Sequence, residues 1–220
     1  MRDVLDLIDN VLDDVSLSRD AMRCRSRLGS ERPGRADGVR RYVITGAPGA
    51  GKTTILAALR QRGYAVIDEA ATDVIARDQA SGSAEPWRDA DFLTKIALLQ
   101  HERQQLPAPA GSTVQVFDRS PICTLALAHY LERPVPPLLA EEVDRVLAQA
   151  IYRPRVFFVR LLGSITPTAA RRITYPQSVR FERFHEQAYR RHGFELVDVP
   201  ASGTQERADL VDRLIRTWDA

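Results

Sequence analysis

The stretch Arg41-Tyr42-Val43-Ile44-Thr45-Gly46-Ala47-Pro48-Gly49-Ala50-Gly51-Lys52-Thr53-Thr54 sets the frame for the whole chain. Tyr42, Val43 and Ile44 are β-forming and apolar, as a buried strand requires. Beyond the turn, Ile55, Leu56 and Leu59 fall on one face of a helix starting at Lys52. Between them stands a glycine, four residues, then Gly-Lys-Thr. Gly46, Gly49 and Gly51 let the backbone curl so that successive N–H groups point inward, and the helix N-terminus adds its partial positive charge. Such a nest fits a polyphosphate. Ala47, Pro48 and Ala50 complete the loop, and Thr54 follows it into the helix. Lys52 is placed to reach the β and γ phosphates of a nucleoside triphosphate. The Thr53 hydroxyl is placed to join a magnesium shell otherwise filled by water and phosphate. Lys52 and Lys95 are the only lysines in an arginine-rich chain, so a lysine at this position is not a by-product of composition.

Strands and helices alternate outward from the loop. Strands are expected at 41–45, 64–67, 113–117, 155–161 and 194–199. Helices are expected at 52–62, 70–80, 89–106, after Pro121, and at 138–151, 177–191 and 205–218. This order predicts an α/β fold of three layers: a five-stranded, mainly parallel sheet covered by helices on both faces, of the P-loop NTPase type.

A chain of 220 residues with 44% hydrophobic content is the size of one compact domain, which the reading divides at residue 38. Residues 39–220 form the domain that carries the loop. In residues 1–38, Val4, Leu7, Ile8, Val11, Leu12 and Val15 recur at helical spacing, and a linker rich in Ser, Gly and Arg follows from Ser26 to Gly38. That helix either packs on the domain or docks a protein partner. No run approaches the roughly 20 apolar residues of a membrane span, and Met1-Arg2-Asp3 does not open a signal peptide, so a cytoplasmic location is expected. Cys24 and Cys123 have no metal-ligand or disulfide spacing and read as plain thiols. A net charge of +2 gives no reason to expect nucleic-acid binding. The four histidines, His101, His129, His185 and His192, show no ligand spacing and are expected on the surface.

Two strand ends carry carboxylates. Val116-Phe117-Asp118-Arg119-Ser120-Pro121 places Asp118 at the carboxyl edge of a parallel sheet, where ligands of open sheets bind. Asp118 is thereby a candidate for the magnesium, and Arg119 for a phosphate or substrate. The competing reading is a helix cap by Asp118 or Ser120. The run Ile67-Asp68-Glu69-Ala70 offers Glu69, with Asp68 second, to accept a proton from the attacking hydroxyl or water; a helix cap is again the alternative. After the fourth strand, Leu162 to Arg172 reads as a lid that brings Arg171 and Arg172 to developing charge, with Arg180 and Arg183 next in order. In the long helix, Phe92, Lys95, Gln100 and Arg103 form either a substrate-lining face or, preferably, the outer side of an amphipathic helix.

Taken together, Tyr42 to Thr54, Asp68-Glu69-Ala70-Ala71, Asp118-Arg119-Ser120-Pro121, Glu182-Arg183-Phe184-His185 and Gly193-Phe194-Glu195-Leu196-Val197 resemble a family of small P-loop ATPases and kinases. That AAA-domain group includes the nicotinamide riboside kinase domain of NadR. The Asp-Arg-Ser turn and upstream glutamate are also similar to those of deoxynucleoside and thymidylate kinases. The resemblance, from about Arg41 to the C-terminus, implies Lys52 and Thr53 for phosphate and magnesium. It likewise implies Glu69 for the substrate hydroxyl, Asp118 and Arg119 beside the phosphates, and Arg171 or Arg172 in the lid.

The expected activity is transfer of the γ-phosphate of ATP, with GTP the alternative nucleotide, to a hydroxyl of a nucleoside-like or other small metabolite. The competing expectation is a nucleotide-dependent switch that acts on a protein through the N-terminal helix. The two acidic strand ends favour the kinase.

Overall fold

A computed structural model describes residues 38–162 and 174–219. The N-terminal helix and linker, Cys24, and the lid arginines Arg171 and Arg172 lie outside the described residues.

Five strands form one sheet: β1 (Arg40–Thr45), β2 (Ala65–Ile67), β3 (Val114–Asp118), β4 (Arg155–Val159) and β5 (Glu195–Val199). Their order is β2-β3-β1-β4-β5, and every pairing is parallel. The expected sheet was mainly parallel. The described one is wholly so, since a helix lies in every connection between successive strands.

Those helices are α1 (Lys52–Gln61), α2 (Ala70–Ala80), α3 (Phe92–Gln104), α4 (Pro121–Tyr130), α5 (Pro137–Ala148), α6 (Tyr175–Arg191) and, after β5, α7 (Thr204–Asp219). The long helix expected at 89–106 is shorter. A 3-10 turn at Pro86–Arg88 precedes it, and Pro107 bars helical geometry at its end. Helix α6 begins two residues early because Thr174 and Gln177 form a capping box and a proline is tolerated in the first turn.

Alternation along the strands feeds two cores. On one face, Tyr42, Ile44, Val116, Phe157 and Val159 pack on Ile55, Leu59, Val211 and Ile215 of α1 and α7. On the other, Val43, Phe117 and Val156 pack against α2 to α6, with Ile75, Phe92, Ile96, Leu139 and Tyr189 nearly solvent-free. Each such side chain contributes about 1.5–3 kcal/mol relative to exposure.

The topology decides where a ligand can sit. From β1 the chain moves outward through α1 to β2; from β4 it moves the opposite way through α6 to β5. Right-handed crossovers then put α1 and α6 on opposite faces and open a crevice at the carboxyl edge beside β1. The loop 46–51 lies at that edge.

Candidate active site

The loop is held by backbone geometry that only glycine suits. Gly46 has φ 145°, and a Cβ there would lie 2.3 Å from the Val159 carbonyl oxygen, so β4 passes too close for any side chain. Gly51 has φ 85°, and its Cβ would meet a guanidinium nitrogen of Arg207 at 3.0 Å. Ala50 N–H closes a turn onto the Ala47 carbonyl at 3.2 Å. Lys52 is buried, its Nζ donating to the Ala47 carbonyl at 3.1 Å across the loop, and Thr54 Oγ1 donates to the Gly51 carbonyl. Thr53 is half-buried in the first turn of α1.

The carboxyl end of β3 lies beside this loop. Asp118 is in register with Ile44 and buried, and Arg119 N–H donates to the Ile44 carbonyl at 3.0 Å. Thr53 and Asp118 are both hard oxygen donors at this edge, a set that fits magnesium, whose other ligands would be water and phosphate. Among the described residues no group of three or more His, Cys, Asp or Glu forms a metal cluster.

Arg119, the candidate for a phosphate or substrate, is engaged by protein groups at the cleft. Its backbone is left-handed at φ 70°, a conformation that costs a non-glycine residue about 1 kcal/mol. Its side chain is buried, with Nε 2.5 Å from Glu69 Oε1 in an ion pair too poorly aligned to count as a hydrogen bond. Nη1 donates to His185 Nε2 at 3.1 Å. Burial alone would lower the Arg119 pKa; nearby charge, that of Glu69 above all, outweighs it and holds the guanidinium above its ordinary value.

His185 corrects the expectation of a surface histidine: it is fully buried. With Nε2 accepting from Arg119, its Nδ1 donates to the Phe181 carbonyl at 3.1 Å, which defines a neutral ring. Burial, then the positive charges of Arg119 and Lys52, push its pKa well below the ordinary 6.5. Among the other histidines, His129 is exposed, His101 pairs with Glu142, and His192 bonds the Ala188 carbonyl.

Both cap readings fail. Glu69 stands at the N-cap of α2 and Ser120 at the N-cap of α4, and neither side chain bonds its helix. Glu69 turns to Arg119, and Ser120 Oγ shares a 2.7 Å hydrogen bond with the Tyr189 hydroxyl. Asp68 lies outside this constellation, half-exposed in an ion pair with Arg60.

Pro48 of the loop, Glu69 and Arg119 open onto a narrow cleft. Phe92, Ile96, Leu127 and Phe181 supply apolar walls, and Gln100 and Thr124 a polar spot. Gln100 is buried, contrary to the preferred outer-face reading, and accepts from Thr124 Oγ1 at 2.9 Å through Oε1. Its amide donors make no bond among the described residues. Arg103 and Lys95 do lie on the outer side: Arg103 bonds the Asp68 carbonyl and Asp73, and Lys95 pairs with Asp78 and Asp91. Arg180 and Arg183 are exposed on α6, away from the cleft lining. Cys123 is buried at the cleft floor, between Thr45 Oγ1 and the Tyr189 hydroxyl.

A phosphate-type loop after the central strand of a 2-3-1-4-5 parallel sheet, with Asp118 on the adjacent strand, defines the P-loop kinase fold. The AAA domain family model matches residues 41–207, and the chain belongs to that family. No curated protein matches the sequence.

Two solved structures of one kinase share the fold. Deoxyadenosine kinase from M. mycoides with bound dATP aligns at a TM-score of 0.54 and 14% identity, covering 80% of this chain and 99% of that one. The same enzyme with products dCMP and a flexible dCDP aligns at 0.53 and 14%, covering 80% and 98%. Shikimate kinase from Acinetobacter baumannii with shikimate aligns at 0.47 and 15%, covering 82% and 95%. Among the described residues, no helix is long and apolar enough to cross a membrane.

Proposed function

We propose that this protein is a phosphotransferase that moves the γ-phosphate of ATP to a hydroxyl of a small, nucleoside-like metabolite inside the cytoplasm. One observation carries the reading. A single cleft joins the phosphate loop, at Pro48, to a carboxylate, a guanidinium and an apolar slot ending in a carboxamide. The M. mycoides deoxyadenosine kinase structures, which hold dATP, dCMP and dCDP, support a nucleoside-like acceptor.

In this reading the loop amides and Lys52 bind the triphosphate. Thr53 and Asp118 would hold magnesium, which would supply charge neutralisation on the phosphates. The acceptor's planar part lies between Phe92, Ile96 and Phe181, and the Gln100 amide donates to a carbonyl or ring nitrogen at its far end. Its hydroxyl meets Glu69, whose Oε1 is engaged by Arg119. The acceptor oxygen bonds the γ-phosphorus as the bond to the β,γ-bridging oxygen breaks. ADP leaves, and the hydroxyl proton passes to Glu69 and then to solvent. Catalysis here is chiefly alignment and charge stabilisation. Arg171 and Arg172 are proposed to close over the phosphates.

Incubation of the protein with ATP, magnesium and a panel of nucleosides and other hydroxylated metabolites, read by mass spectrometry, tests this. An acceptor gaining one phosphate supports the kinase. ATP hydrolysis stimulated only by a protein, and by no acceptor, would establish the switch instead.

A further inference from the structure

Arg207, unlike Arg119, is a buried guanidinium with no carboxylate beside it among the described residues. It lies in the first turns of α7, is 2% exposed, and touches the back of the phosphate loop. Nη1 donates to the Ala50 carbonyl at 2.8 Å and Nη2 to the Arg160 carbonyl at 2.9 Å. Nε is buried with no hydrogen-bond partner. Both partners are neutral, and among the described residues Arg207 makes no ion pair. Arg119, by contrast, faces Glu69, and Arg160 faces Glu182, Glu186 and Asp198.

A buried, unpaired cation destabilises a fold. This one stands near the N-terminus of α7, where the helix dipole opposes positive charge, and close behind the N-terminus of α1, where Lys52 is also buried. Burial lowers its pKa from the ordinary arginine value, with no opposing cause. If the task were only to tie two carbonyls together, a neutral amide would do it without the charge. An anion on the other side of the loop would supply the missing compensation.

We propose that Arg207 is the buried counter-charge of the phosphate site, stabilising a bound polyphosphate through the loop at residues 50 and 51 without touching it. The proposal rests on the reading of residues 46–53 as a nucleotide site. Arg207 is thus a positioning and electrostatic residue, tuned to the liganded form at the expense of the free one. A Cβ at position 51 would sit 3.0 Å from this guanidinium, a tight contact that adds to the positive φ there.

The test uses the full chain as wild type, Arg207→Gln and Arg207→Lys. Each is titrated calorimetrically with ATP and magnesium and melted with and without them. Glutamine keeps donors and removes charge; lysine keeps charge and removes the fork. The glutamine variant is expected to bind ATP about tenfold or more weakly, a loss of about 1.4 kcal/mol, while its free form melts no lower than wild type. The lysine variant is expected to stay within about threefold of wild type. Equal binding by wild type and the glutamine variant would overturn the proposal, as would equal losses in both variants or an unfolded glutamine variant. A wild type that binds neither ATP nor GTP would instead remove the nucleotide reading beneath it.

Discussion

The two sides of the crevice at the sheet's mouth are built in opposite ways. On the phosphate side, one contiguous stretch from Gly46 to Thr53 presents backbone amides, held by positive-φ glycines and braced by Arg207. On the side proposed for the acceptor, Glu69, Phe92, Gln100, Arg119, Thr124 and Phe181 come from five separate places in the chain and line the cleft. A backbone cradle is indifferent to what accompanies the phosphates, whereas a side-chain wall can be altered without disturbing them.

Substitutions that separate the two sides should show this, and the largest effect belongs to the loop. Lys52→Ala is expected to lower turnover by about 10³ and to abolish measurable ATP binding, with circular dichroism and melting unchanged. Full binding in that variant would break the assignment of the phosphate side. Glu69→Gln is expected to keep ATP affinity and lose about 10² in transfer rate, a split that single-turnover kinetics resolves. Unchanged transfer would move the proton-accepting role elsewhere. Gln100→Leu should raise the acceptor KM about tenfold while leaving that for ATP alone, since one hydrogen bond is lost at the far end of the slot. A change in the ATP value would show that the two sides are not separable.

The smallest effect is on stability. His185 is held neutral, chiefly by burial and then by Arg119 and Lys52, so its folded pKa lies below the ordinary 6.5. Below about pH 6.5 the unfolded chain takes up a proton that the folded chain refuses. Its contribution is therefore complete above that pH and falls as pH drops, by at most about 1.4 kcal/mol per unit. Urea midpoints from pH 7.5 to 5 should show this slope in wild type and less of it in His185→Gln. Equal slopes would mean the ring is not held neutral.

The same contrast governs how much could be read from sequence. The phosphate loop was legible because its residues are consecutive and their types follow from one ligand. The strands were legible because apolar runs were bounded by turns, and the parallel order followed from alternation with helices. Glu69 and Asp118 stood out as acids at strand ends, but their surroundings did not: the Arg119–Glu69 pair joins residues 50 positions apart. His185 carried a usable signal. Ser178, Phe181, His185, Ala188 and Tyr189 form one buried stripe of α6 at helical spacing, so its burial follows from periodicity. Gln100 could be placed on a face but not toward a cleft, because several elements shape that cleft. Arg207 gave no signal, since one arginine among many near a helix start looks solvated until α7 is seen packed behind the loop.

Calorimetric titration of the folded full chain with ATP and magnesium, repeated with GTP, tests the central claim most directly. Saturable binding at one site per chain, lost in Lys52→Ala, is the expected result. Folded protein that takes up neither nucleotide would contradict the account.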